Sequence, residues 1–89
     1  MLKSKPNAMN LNIRLFATLK ERAGTNALEL ELPDSANVET LLAALSKQFP
    51  TLAPSLKTVL VAVNHDYAFP DQLLSPNDEI ALFPPVSGG

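Results

Sequence analysis

The residues of this chain best placed to do chemistry are its last two. Gly88 and Gly89 are two of only three glycines in 89 residues, and no turn or helix cap is needed at that place. At an ordinary glycine frequency of about 7%, a Gly-Gly pair at one given position has odds of roughly 0.5%. With no Cβ, the pair is the thinnest backbone that can be threaded into another protein's active site, its carboxylate leading. Pro84 and Pro85 stand just before it. They donate no ladder hydrogen bond and favour extended backbone, so they end a strand and project the tail away from the body. At ~3.3 Å per residue, the run Pro84-Pro85-Val86-Ser87-Gly88-Gly89 reaches on the order of 20 Å. A frayed terminus is the plain alternative. Other reactive groups are few. Cysteine is absent, which removes thiolate nucleophiles, disulfides and Cys-based metal sites. His65 is the single histidine; in a turn without a carboxylate cluster it reads as a surface residue, and no metal site is expected.

The elements that must position the tail follow from periodicity. Leu11, Ile13, Leu15 and Ala17 alternate with Asn10, Asn12, Arg14, Phe16 and Thr18, a half-buried strand with an aromatic residue on its polar face. Leu19 to Gly24 reads as a turn or short helical piece closed by glycine. Leu28, Leu30 and Leu32 alternate with Glu29 and Glu31 up to Pro33, a second strand that makes a hairpin with the first. Asn37 is a helix N-cap with Glu39 in the first turn. Val38, Leu41, Leu42, Leu45 and Phe49 then form one apolar stripe that Pro50 ends, and a lone helix of this kind must cover a sheet. Thr51 to Lys57 reads as a loop with Leu52 and Leu56 packed beneath it. Thr58 to Asn64 is a strand apolar on both faces, Asn64-His65-Asp66 a turn, and Tyr67-Ala68-Phe69 a short strand ended by Pro70. After the Ser75-Pro76-Asn77-Asp78 turn, Glu79 to Phe83 is the last strand, with Ile80 and Leu82 on one face and Phe83 on the other.

Composition bounds the partners. Eighty-nine residues with 46% apolar content make one small domain. A net charge of -2 and a pI near 5.2 argue against nucleic acid or an anionic membrane as partner. No stretch approaches the ~20 apolar residues of a membrane span, and residues 1–8 lack the apolar core of a signal peptide. A cytoplasmic location is expected. Residues 1–8 read as an N-terminal extension, disordered or left over from expression, with the domain at 9–83 and the tail at 84–89.

A hairpin, one helix across the sheet, further strands and a closing Gly-Gly resemble the β-grasp fold of ubiquitin-like proteins, an α+β class with a mixed sheet of four to five strands and one main helix on one face. The ending Phe83-Pro84-Pro85-Val86-Ser87-Gly88-Gly89 resembles that of the small, sulfur-carrier subunits of molybdopterin synthase. Weaker matches run through Arg14-Leu15-Phe16-Ala17, Arg22-Ala23-Gly24-Thr25, Val38-Glu39, Ala62-Val63-Asn64 and Asn77-Asp78-Glu79. The likeness covers residues 9–89. Asn77 departs from it, because the family often has glycine there.

The resemblance implies that the Gly89 carboxylate is adenylated with ATP by an activating enzyme, converted to a thiocarboxylate, and carried into the large synthase subunit. There it would give sulfur to a pterin precursor on the way to molybdenum cofactor. The chain would bind no cofactor and would not be an enzyme alone. A thiocarboxylate is anionic and nucleophilic at neutral pH, so it can do the work of the missing thiolate.

Phe16 and Phe83, on the outward face of strands that neighbour each other in a β-grasp sheet, would form a docking patch, and the resemblance adds Tyr67. Pro84, Pro85, Val86 and Ser87 would contact the partner with the tail. Asp78 and Glu79 read as turn residues, and Glu29 and Glu31 as a solvated strand face. Three other functions share the ending: a carrier for thiamine synthesis, a carrier for tRNA thiolation, and a ubiquitin-like modifier joined to lysines. A binding module with an inert tail is the fourth.

Overall fold

The structure is a computed structural model that describes residues 8–85. The alternating first segment forms β1 (Ala8–Leu15), with Met9, Leu11, Ile13 and Leu15 buried and the residues between them exposed or half-exposed. It begins earlier than Leu11 because its pairing with β2 (Ala27–Pro33) continues through Met9↔Leu32 to Ala8↔Pro33. Ala8, placed in the extension on sequence grounds, is therefore part of the sheet. The expectation for Ala17 fails. Ala17 is exposed with φ 55, because the chain leaves the sheet after Leu15 and Leu19 takes the next core position. Leu19 lies in the short helix α1 (Thr18–Ala23), which Gly24 closes at φ 78 with its N–H bonded to the Lys20 carbonyl at 3.0 Å. That conformation suits glycine and few other residues.

Helix α2 (Val38–Gln48) starts where Asn37 Oδ1 accepts from the Thr40 N–H and the Thr40 hydroxyl, both at 2.9 Å. Two further N–H groups of its first turn are satisfied from the segment before the last strand. Val38 donates to the Gln72 carbonyl and Glu39 to the Pro70 carbonyl, so the first turn is not left with orphan donors. Val38, Leu41 and Leu45 are buried, whereas Leu42 and Phe49 are half-buried at the margin of the stripe. Beyond Pro50 the expected loop is helical instead: a 3-10 turn (Pro50–Leu52) runs into α3 (Ala53–Leu56). Leu52 and Leu56 are buried there, as expected.

Strands β3 (Leu60–Val63), β4 (Asp66–Tyr67) and β5 (Glu79–Phe83) complete the sheet. β3 is shorter than the apolar run suggested, since Thr58, Val59 and Asn64 fall outside it, and β4 stops before Phe69. The five strands lie in the order β2-β1-β5-β3-β4, with β1 and β5 parallel and the other neighbours antiparallel. One face of this mixed sheet carries Leu11, Ile13, Leu30, Val61, Val63, Ile80 and Leu82 into a common core with Val38, Leu41 and Leu45 of the helix. With one main helix across one face, the architecture is the expected ubiquitin-like β-grasp.

Candidate docking face

The other face of the sheet is where the unassigned aromatic residues meet. Register brings them together. Leu15 pairs with Leu82 in the parallel β1–β5 ladder, so the next residues, Phe16 and Phe83, stand side by side although they lie at opposite ends of the chain. Their rings stack with centroids 4.7 Å apart and planes within 11°, a contact worth about 0.5–1.5 kcal/mol beyond its buried area. Phe16 remains 37% exposed. Next to the aromatic row lies a row of small side chains. Ala27, Arg14, Ala81, Ala62 and Tyr67 follow one another across all five strands. The alanines set a low floor, and Tyr67, 75% exposed, forms one end of it. A third row contains Glu29, Asn12 and Glu79, with Asn64 adjoining Glu79. Between the Phe16–Phe83 stack and Glu79 the low row opens into a cavity of ≈ 340 Å³ that Arg14, His65 and Tyr67 also line.

The β3–β4 turn places His65 and Tyr67. Asn64 and His65 both have positive φ, 54 and 75, the pairing that a two-residue hairpin turn demands and that Asn tolerates better than most residues. Asn64 is locked in that conformation by its side chain. Its Nδ2 donates to Asp78 Oδ1 and its Oδ1 accepts from the Glu79 N–H, both at 2.9 Å. Asp78 Oδ2 also accepts from the Ser75 N–H at 2.8 Å. One clip thus ties the hairpin turn to the Ser75–Asp78 turn. Asp78 acts within its turn, as expected, while Glu79 opens β5 and its carboxylate lies 3.0 Å from His65 Nε2. Both side chains are mostly solvated, so this pair contributes little to stability. Among the described residues no group of three His, Asp or Glu is placed to hold a metal ion.

Of the residues singled out by sequence, Phe16, Tyr67 and Phe83 share this face. Pro84 is half-buried and Pro85 exposed beyond the end of β5. Val86, Ser87, Gly88 and Gly89 lie outside the described residues. Sequence reasoning missed Arg14, Ala62 and Ala81 as parts of the face. The alternation around Arg14 put it outward, but only the β1–β5 register shows what it stands beside.

A five-stranded mixed sheet, one long helix across its inner face and an aromatic patch on its outer face next to the last strand define a ubiquitin-like β-grasp domain. Comparison with known proteins narrows the class. Residues 13–89 match the model of the ThiS family. The molybdopterin synthase sulfur carrier subunit of Chlamydomonas reinhardtii is 39% identical over 83 residues, covering 91% of this chain and 100% of that protein. That of Dictyostelium discoideum is 40% identical over 80 residues, covering 86% and 93%. Among solved structures, SAMP1 from Haloferax volcanii superposes with a TM-score of 0.79 at 32% identity, over 90% of this chain and 99% of that one. The chain belongs to the ThiS family, among relatives that are sulfur carrier subunits of molybdopterin synthase.

Proposed function

We propose that the carboxylate of Gly89 is the group that carries sulfur, and that the Phe16–Tyr67–Phe83 face docks the proteins that load and unload it. Sulfur carriage for molybdopterin synthase is the role of this chain. The observation behind it is the match to a carrier of that name across its whole length, in a family match that runs to Gly89.

The chemistry demanded of the tail is short. A carboxylate is a poor electrophile, so an oxygen of Gly89 must first attack the α-phosphorus of ATP and release pyrophosphate. Sulfide-level sulfur (HS⁻) then adds to the acyl-adenylate carbon, the C–O bond to phosphate oxygen breaks, and AMP leaves. The product is a thiocarboxylate, anionic and nucleophilic at neutral pH. In the synthase its sulfur attacks a carbon of the pterin precursor and displaces an oxygen substituent from it, and water then cleaves the resulting thioester, leaving the thiol on the pterin and the carboxylate on Gly89. Pockets and general acids and bases come from the partners: an adenylating enzyme for loading, a large synthase subunit for delivery. The chain alone is not an enzyme, and ATP is a substrate of the loading partner rather than a cofactor held here.

Geometry on this chain supports the division of labour. Phe83, the last residue of β5, belongs to the exposed patch, and Pro84 follows it directly. A partner seated on the patch therefore receives the start of the tail at a defined place. Incubation with ATP, the activating enzyme and a sulfur source, followed by intact mass measurement, tests the reading. The expected product exchanges one oxygen for sulfur at Gly89. Adding one alanine after Gly89 should abolish loading while leaving docking intact, because it relocates the carboxylate and places a Cβ in a channel shaped for glycine. Wild-type loading of the extended chain would sink the carrier chemistry.

A second reading has its own support. The likeness to SAMP1, a small archaeal modifier protein, favours conjugation of Gly89 to lysines. It shares the adenylation step and differs in the acceptor. Covalent adducts with other proteins, instead of the sulfur-bearing free chain, would favour it.

A further inference from the structure

Arg14 is the arginine of the docking face, and among the described residues the fold leaves its charge unanswered. It lies in register between Ala27 of β2 and Ala81 of β5, so methyl groups flank it on both sides. Two carboxylates, Glu29 and Glu79, sit diagonally from it, within reach of long side chains. Glu79 pairs instead with His65. Among the described residues the Arg14 guanidinium meets no hydrogen-bond or ion-pair partner. Yet it lines the same cavity as Phe16, Phe83 and Tyr67, so a partner covering the aromatic stack also strips water from Arg14. A desolvated guanidinium without an acceptor is heavily penalised. Facing a carboxylate, it can form two parallel charge-assisted hydrogen bonds.

We infer that Arg14 is the electrostatic anchor of the docking face, pairing with a carboxylate side chain that the large synthase subunit inserts into the alanine-floored groove. The inference rests on the docking reading above. A single carboxylate fits better than a phosphate or polyanion, because Glu29 and Glu79 lie to either side and the chain as a whole carries a charge of -2. Those two acids repel an anion placed one strand out of line, so the pair also fixes the register in which the partner sits.

The test uses the full chain and its large synthase subunit, with affinity measured at low and high salt. Arg14→Gln is expected to weaken binding about tenfold or more and to flatten the salt dependence, with the melting temperature near wild type because Arg14 is exposed. Arg14→Lys keeps the charge and supplies an amine. Treating its complex with a carbodiimide should yield an amide between position 14 and a partner aspartate or glutamate, located by peptide mass mapping. If Arg14→Gln binds with wild-type affinity and salt slope while Phe83→Asp does not bind, the docking face stands and the anchor is refuted. Cross-links confined to other lysines refute it equally. If Phe83→Asp also binds normally, the docking reading falls and the anchor with it.

Discussion

Replacing Asn64 tests whether the turn that carries His65 and Tyr67 is held by local hydrogen bonds and by backbone preference together. Its side chain makes two bonds of 2.9 Å, to Asp78 Oδ1 and from the Glu79 N–H, each worth about 0.5–1.5 kcal/mol net. Its φ of 54 costs an ordinary L-residue roughly 1–2 kcal/mol, less for Asn and almost nothing for Gly. Asn64→Ala loses both bonds and takes on the strain, for a total of about 2–4 kcal/mol. Asn64→Gly loses the bonds alone and should be about 1 kcal/mol less damaging than alanine. In a domain of this size the alanine variant should melt on the order of 10–25 °C below wild type. Asn64→Asp separates the two bonds: it keeps the acceptor for Glu79 but turns an oxygen toward Asp78. The resulting repulsion should be relieved as pH falls far enough to protonate one of the two carboxyls, so this variant alone should gain stability relative to wild type on acidification. Thermal and urea melts of the four proteins give the comparison. Equal losses for Gly and Ala would refute the backbone argument, and an alanine variant within 0.5 kcal/mol of wild type, about the smallest net worth of one such bond, would refute the clip.

Other perturbations are more local. Leu45→Ala, at a fully buried helix position, should cost ~3–5 kcal/mol in a urea melt, and Leu42→Ala, half-buried at the edge of the same stripe, roughly half as much. Gly24→Ala should cost only about 1 kcal/mol, because a Cβ there meets nothing within 4 Å and only the left-handed φ of 78 opposes it. A larger loss would mean that the turn is tighter than its open surroundings indicate. Phe83→Asp should remove the Phe16 stack, lower stability by about 0.5–1.5 kcal/mol, and weaken binding to both the activating enzyme and the large subunit. On the docking reading both partners use that patch, so each should displace the other in a competition titration; a ternary complex would contradict a shared face.

Much of this arrangement was legible because it depends on local period. Alternation in β1 and β2, the helical stripe from Val38, and the turn residues at Gly24 and Ser75–Asp78 each declare themselves over a few neighbouring positions. Ala17 misled because alternation cannot announce where a strand stops. Its methyl fits either face, and only the burial of Leu19 tells that the chain has already turned. The stretch from Pro50 to Lys57 read as a loop because Pro50 and Pro54 interrupt it, whereas proline is well tolerated in the first turn of a helix and both sit there. The groove was the least legible part. Alanine at positions 27, 62 and 81 carries no signal by itself, and it becomes a floor only when the pairings of β1 with β2 and β5, and of β5 with β3, set those residues in one line with Arg14.

That parallel pairing also explains why a carrier would spend a patch of surface on docking. On the carrier reading, holding a six-residue tail in one conformation inside a partner's channel costs about 1–2 kcal/mol of backbone entropy per residue, most at the glycines and least at the prolines. Two glycines offer almost no side-chain surface to offset that cost, so the tail cannot be its own anchor. The compensating contacts have to come from the body, close to where the tail begins. β5 meets both conditions. Ile80 and Leu82 fix it in the core, β1 and β3 flank it so that it has no free edge, and its outward residue Phe83 belongs to the stacked patch. Had the last strand lain at the sheet's edge, its end would fray more readily and the start of the tail would be less well defined for a docked partner. On the carrier reading, placing the last strand at the centre makes docking and delivery one geometric event.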